Sequence, residues 1–96
     1  MAQQYFVYIL SNKSNTIYYV GVTNNLIQRV WQHKEKVVKG FTTKYNINKL
    51  VWFAIYENVE EAIKREKQLK AGSRQKKIEL VDETNSEWRD LYKDIC

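Results

Sequence analysis

The sequence predicts an α/β chain of the α+β type: a small three-stranded antiparallel sheet sandwiched by helices, in the order β-β-α-β-α-α-α. Three observations predict it. Tyr5 to Leu10, Ile17 to Val22 and Leu50 to Tyr56 are nearly unbroken apolar, β-prone runs of strand length. The first two are separated only by a polar cluster, Ser11 to Thr16, which reads as a hairpin turn. The stretches between and after these runs carry apolar residues at helical spacing, so helices must cover the sheet.

Each helix has its own signals. Thr23 or Asn24 can cap a first helix in which Leu26, Val30, His33 and Val37 recur on one side. Lys39 to Lys49, rich in Thr, Asn and Lys, reads as a loop. Asn58 with Glu61 three residues on has the form of a capping box. The helix behind it uses Val59, Ala62, Ile63 and Leu69 as its apolar stripe. Gly72 is placed to end that helix and Ser73 to cap the next. A last helix from about Ser86 presents Trp88, Leu91, Tyr92 and Ile95 at i, i+3, i+4 and i+7.

With 96 residues, no proline, no Gly/Ser linker and no repeat, residues 1–96 read as a single domain. The 44% hydrophobic fraction, with 14% aromatics, is enough for a core, and a chain this short leaves room for pairing with a second copy. The lone cysteine, Cys96, excludes an internal disulfide, and no Cys/His cluster has zinc spacing. No apolar run reaches the roughly 18–20 residues of a membrane span, and no secretory pattern opens the chain. A reducing, cytoplasmic setting is expected. Charge is uneven. Residues 1–78 hold fourteen Lys/Arg against five Asp/Glu, a net of +9, whereas residues 79–96 hold two against six, a net of −4. A basic body with an acidic tail suits a polyanion partner, although lysines also serve solubility.

Function is best sought where the pattern breaks. On a wheel of about 100° per residue with Ala62 at zero, Leu69 falls near −20° and Val59 near 60°. Glu66 falls near 40°, inside the stripe, where a carboxylate must be paired, hydrogen-bonded or bound to a metal. The first helix repeats the anomaly: relative to Leu26, His33 lies near −20° and Arg29 near −60°, one turn earlier on the same side. A core histidine beside a surface arginine would explain that pair; so would one site combining proton transfer with phosphate contact. Strand alternation puts Tyr8 with Phe6 and Leu10, and Tyr19 with Ile17 and Gly21. Gly21 leaves space for a close approach of backbone or substrate.

Taken in order, these residues resemble the GIY-YIG nuclease superfamily. Val7-Tyr8-Ile9 and Tyr19-Val20-Gly21 look like its two naming motifs, followed by Arg29 and His33 on one helix and Glu66 on a later one. The KYNINKLV and REKQLK segments look like those of small stand-alone bacterial members related to the nuclease domain of the excision-repair protein UvrC. The resemblance covers residues 3–81. Val7 stands where the first motif has Gly, and Val20 where the second has Ile. The Asn that many members carry beyond the acidic residue has no assigned counterpart.

The resemblance implies hydrolysis of DNA phosphodiester bonds with one divalent metal, Mg²⁺ or Mn²⁺, in repair or recombination. Glu66 matches the metal ligand, Arg29 the phosphate-contacting arginine, and His33 a position often held by His or Tyr. Tyr8 and Tyr19 match the motif tyrosines, one of which activates or orients water, and Gly21 matches the motif glycine. Lys34, Lys36, Lys39, Lys44, Lys64, Lys67, Lys70, Arg74, Lys76 and Lys77 are then expected to contact DNA phosphates around the site. The competing readings are a binding module of the same fold that cuts little and a purely structural domain. The last leaves the polar breaks in both stripes unexplained.

Overall fold

A computed structural model describes residues 3–96. It comprises β1 (Tyr5–Ser11), β2 (Tyr18–Thr23), α1 (Leu26–Lys34), α2 (Phe41–Lys44), β3 (Lys49–Tyr56), α3 (Val59–Ala71), α4 (Arg74–Thr84) and α5 (Tyr92–Ile95). The strands form one antiparallel sheet in the order β2-β1-β3, with β1 central. Central position explains why Val7, Tyr8, Ile9 and Leu10 are all buried: both faces of β1 are covered.

Alternation along β1 divides the core. Val7 and Ile9 pack with Val20, Trp52, Ala62, Leu69 and Val81, beneath α3 and α4. Tyr8 and Leu10 pack on the opposite face with Leu26, Val30, Ile47 and Leu50, beneath α1. The sheet sandwiched by helices is therefore observed as expected.

Four details differ from the sequence expectation. The segment 39–49 contains α2, a single turn that buries Thr42. The cap of α1 is Asn25, whose Oδ1 accepts the Gln28 N–H at 3.1 Å, while Thr23 Oγ1 accepts the Asn25 N–H. The helix ends at Lys34 instead of running to Val37, which is 59% exposed. Lys36, at φ 57°, turns the chain; the Val37 N–H reaches Gln32 O and the Lys36 N–H reaches His33 O, the paired bonds of a Schellman ending. On α3, Val59 and Ile63 are exposed and only Ala62 and Leu69 are buried.

The C-terminal stripe also divides. Trp88 joins the α3/α4 face, whereas Leu91, Tyr92 and Ile95 join the α1 face, so one helix cannot carry them. Trp88 sits at φ 54°, and Asn85 holds the turn, accepting the Arg89 N–H and donating to Val51 O and Arg89 O. The Leu91 N–H then reaches Leu50 O on β3. Helix resumes only at Tyr92. The α3 and α4 starts follow expectation: Asn58 Oδ1 accepts the Glu60 and Glu61 N–H groups and Ser73 Oγ accepts that of Lys76. Among the described residues no helix is long and apolar enough to cross a membrane.

Candidate functional site

The site forms on the α1 face of the sheet, at its β2 side. Antiparallel register sets Tyr8 opposite Gly21 and Leu10 opposite Tyr19, so both tyrosines rise from one face of adjacent strands. Their ring centroids lie 6.3 Å apart. The helical period of α1 lowers His33 onto them, 5.6 Å from Tyr19 and 6.4 Å from Tyr8. Gly21 is the floor. A Cβ there would stand 2.4 Å from both Cζ and Oη of Tyr8, so the missing side chain accommodates the phenol. Backbone or substrate was expected to approach here; the group that does so is the Tyr8 side chain.

His33 is buried, and its Nδ1 lies 2.9 Å from Oγ1 of buried Thr42. Nε2 is the only buried side-chain polar atom without a hydrogen-bond partner among the described residues. Such an atom is costly unless something not belonging to the fold completes it. Burial first, and the Arg29 guanidinium second, hold the His33 pKa below its ordinary value, leaving the ring neutral near pH 7. Arg29 itself is exposed on α1 and has no acidic partner within ion-pair distance among the described residues.

Tyr8 is pushed far above the ordinary phenol range, chiefly by burial and then by Tyr19; Arg29 opposes the shift and Glu66 adds to it. These influences place Arg29 and Glu66 within electrostatic reach of the Tyr8 hydroxyl. Glu66 is 14% exposed in its side chain and is paired with Lys70 at 3.0 Å. Lys70 Nζ stands 5.8 Å from the Tyr19 ring centroid, which fixes this end of α3 beside Tyr19. Four elements, β1, β2, α1 and α3, thus bring Tyr8, Tyr19, Arg29, His33 and Glu66 into one neighbourhood.

Among the described residues no group of three His, Cys, Asp or Glu could cage a metal. A single carboxylate, Glu66, does fit a hydrated hard cation, which takes most of its ligands from water and substrate oxygens. The expected DNA contacts fare unequally. Lys36, Lys39, Lys44, Lys64, Lys67, Arg74 and Lys76 are exposed. Lys34 is paired with Asp90, Lys70 with Glu66, and Lys77 donates to Gly72 O at 3.0 Å, so these three already have partners within the fold. Thr42 was not foreseen as a site residue. Asn85 is buried, but its side chain serves backbone groups of Val51 and Arg89 and none of the site. An open groove of about 580 Å³ is lined by Phe6, Leu26, Ile27, Phe53 and Ile55 with uncharged polar neighbours, and contains none of the five site residues.

Comparison with known proteins agrees with this geometry. Residues 4–79 match the family model described as the GIY-YIG catalytic domain. The chain is 33% identical over 90 residues to the UPF0213 protein CPE1444 of Clostridium perfringens, covering 94% of this chain and 96% of that one. A UPF0213 protein of Staphylococcus aureus is 33% identical over 79 residues, covering 82% and 95%. The solution NMR structure of the UPF0213 protein BH0048 from Bacillus halodurans superposes with a TM-score of 0.58 at 28% identity, covering 94% and 95%. With the motif tyrosines, Arg29, His33 and Glu66 brought together on that fold, the chain belongs to the GIY-YIG catalytic-domain family, alongside the small stand-alone UPF0213 proteins.

Proposed function

We propose that the protein is a divalent-metal-dependent endonuclease that hydrolyses phosphodiester bonds in DNA. The observation that carries this reading is the grouping of the Tyr8, Tyr19 and His33 rings, with Arg29 and Glu66 both within charge range of the Tyr8 hydroxyl, in a chain of the GIY-YIG family. Each side chain has a role suited to its surroundings. Arg29, exposed and unpaired, binds the phosphate and offsets the charge that builds on it. Tyr8, whose phenol burial keeps protonated, donates a hydrogen bond. Tyr19, at the half-buried rim beside Lys70, orients the attacking water. His33, neutral and held through Nδ1, presents Nε2 to take the water's proton. A divalent cation at Glu66, Mg²⁺ or Mn²⁺, would supply Lewis-acid stabilisation of the phosphoryl oxygens.

The Lys70 ammonium on Glu66 favours a second reading, a nucleic-acid-binding module that cuts little, because it competes with a metal for the carboxylate. One experiment separates the two. Single-stranded, duplex and branched DNA are incubated with the wild type, Glu66→Gln and Lys70→Met in Mg²⁺ or Mn²⁺. The nuclease reading expects cutting by wild type, none by Glu66→Gln, and a lower metal requirement for Lys70→Met. Salt-sensitive binding without cutting by any of the three supports the binding module and ends the nuclease reading.

A further inference from the structure

The segment joining α1 to β3 carries a feature that the catalytic reading does not use. Residues 34–49 hold five lysines against one glutamate. Within them α2 has two faces. Thr42 turns inward and is buried against His33. Phe41 and Tyr45, one turn apart, face outward and are 50% and 41% exposed. Their rings form a tilted pair with centroids 5.0 Å apart, and Lys44 Nζ stands 5.4 Å from the Tyr45 centroid. Tyr45 also lines an open cleft of about 480 Å³ with Asn12, Lys13 and Ser14 of the β1–β2 turn and Asn46.

We propose that Phe41 and Tyr45 form a stacking platform for unpaired nucleobases, so that the substrate strand reaches the site single-stranded or splayed. The inference rests on the nuclease reading above and names its substrate class. Two aromatic rings left in water on a one-turn helix contribute little to the core, yet they offer flat faces on which bases stack. A continuous duplex hides its base faces within its own stack; an unpaired strand exposes one with every nucleotide. The surroundings match such a strand. Lys13 and Lys44 supply cations for its phosphates, and the Asn12 and Asn46 amides supply donors and acceptors for base edges. The position is also apt, because the helix that displays the platform outward holds His33 inward.

The test is fluorescence anisotropy of the full chain in EDTA, so that cutting plays no part. The probes are a labelled unpaired oligonucleotide, an abasic strand of equal length and a blunt duplex with the same number of phosphates. Phe41→Ala and Tyr45→Ala, both at exposed positions, are each expected to weaken binding of the unpaired probe about tenfold and to leave the other two probes unchanged. Phe41→Leu keeps apolar bulk without the aromatic face and should show the same loss. Wild-type affinity of Phe41→Leu for the unpaired probe would mark an ordinary apolar patch and overturn the platform. So would equal losses on all three probes, or no loss on any. Cleavage by a chain indifferent to unpaired bases ends this inference alone; a preference for unpaired bases in a chain that never cuts ends the nuclease reading alone.

Discussion

The imidazole of His33 and the hydroxyl of Thr42 are joined at 2.9 Å through Nδ1, both groups buried, while Nε2 on the other side of the ring has no partner among the described residues. That asymmetry gives the ring a direction. If Nδ1–H donates to Oγ1, the ring's free lone pair lies on Nε2, in a ring whose centroid stands 6.4 Å from that of Tyr8 and 5.6 Å from that of Tyr19. On the nuclease reading proposed above, Thr42 is a positioning residue, acting through His33.

Thr42→Val tests this role. Valine preserves the shape but leaves Nδ1 buried and unpaired, at a cost of about 1–3 kcal/mol in urea unfolding. Cleavage should fall by more than the lost stability explains, because the ring loses its preferred tautomer. Thr42→Ser keeps the hydroxyl and should retain the wild-type ¹⁵N shifts of the two ring nitrogens. Wild-type nitrogen shifts in Thr42→Val would show that Thr42 does not set the tautomer.

Gly21 and Tyr8 form a second dependent pair. A methyl group at residue 21 would lie 2.4 Å from Cζ and Oη of a phenol packed in the core, so Gly21→Ala must displace the ring or the strand. A loss of about 1–3 kcal/mol is expected, as for other overpacked cores. Tyr8→Leu removes both clashing atoms. The double variant should then be more stable than the sum of the two single losses, which thermal unfolding of the four proteins measures directly. Strict additivity would mean that the two positions do not meet in solution.

What the sequence made legible was local or periodic. The strands announce themselves as apolar runs, and the α3 and α4 caps need only Asn58 and Ser73. Glu66 and His33 were visible because a polar residue on an apolar stripe is a conflict that periodicity exposes. Thr42 raised no such conflict: a threonine in a polar segment looks like loop, and its partner lies nine residues away on another helix. Likewise, the ending of α1 depends on Lys36 adopting a left-handed conformation that glycine usually supplies. The C-terminal stripe misled for a topological reason. Its apolar spacing suits one helix, but Trp88 and Leu91 pack on opposite faces of the sheet. Lys34 read as a phosphate contact because Asp90, its partner, is 56 residues distant.

The Lys36 conformation yields a stability prediction. At φ 57° its Cβ crowds the backbone, a strain that glycine lacks. Lys36→Gly should stabilise the chain by about 1 kcal/mol, raising Tm by roughly 4–8 °C for a domain of this size. The same substitution removes an exposed cation. If Lys36 contacts a phosphate, the slope of log affinity against log salt becomes shallower by about 1. An unchanged slope would remove Lys36 from the DNA contacts while leaving the helix ending intact.

His33 is the only histidine in the chain, so one imidazole resonance reports its titration. Burial and then Arg29 lower its folded pKa below the unfolded value of about 6.5. The unfolded chain consequently binds a proton that the folded chain resists. This contribution to stability is complete above about pH 6.5 and is lost as pH falls through the folded pKa. NMR should place the folded midpoint below 6.5. Arg29→Gln, which removes the second cause, should move it upward. If His33 accepts the water's proton, the acid limb of the cleavage profile follows the same midpoint in both proteins. An acid limb that stays in place while the NMR midpoint moves would transfer the proton-accepting role away from His33 and leave the ring as a structural neighbour of Tyr19.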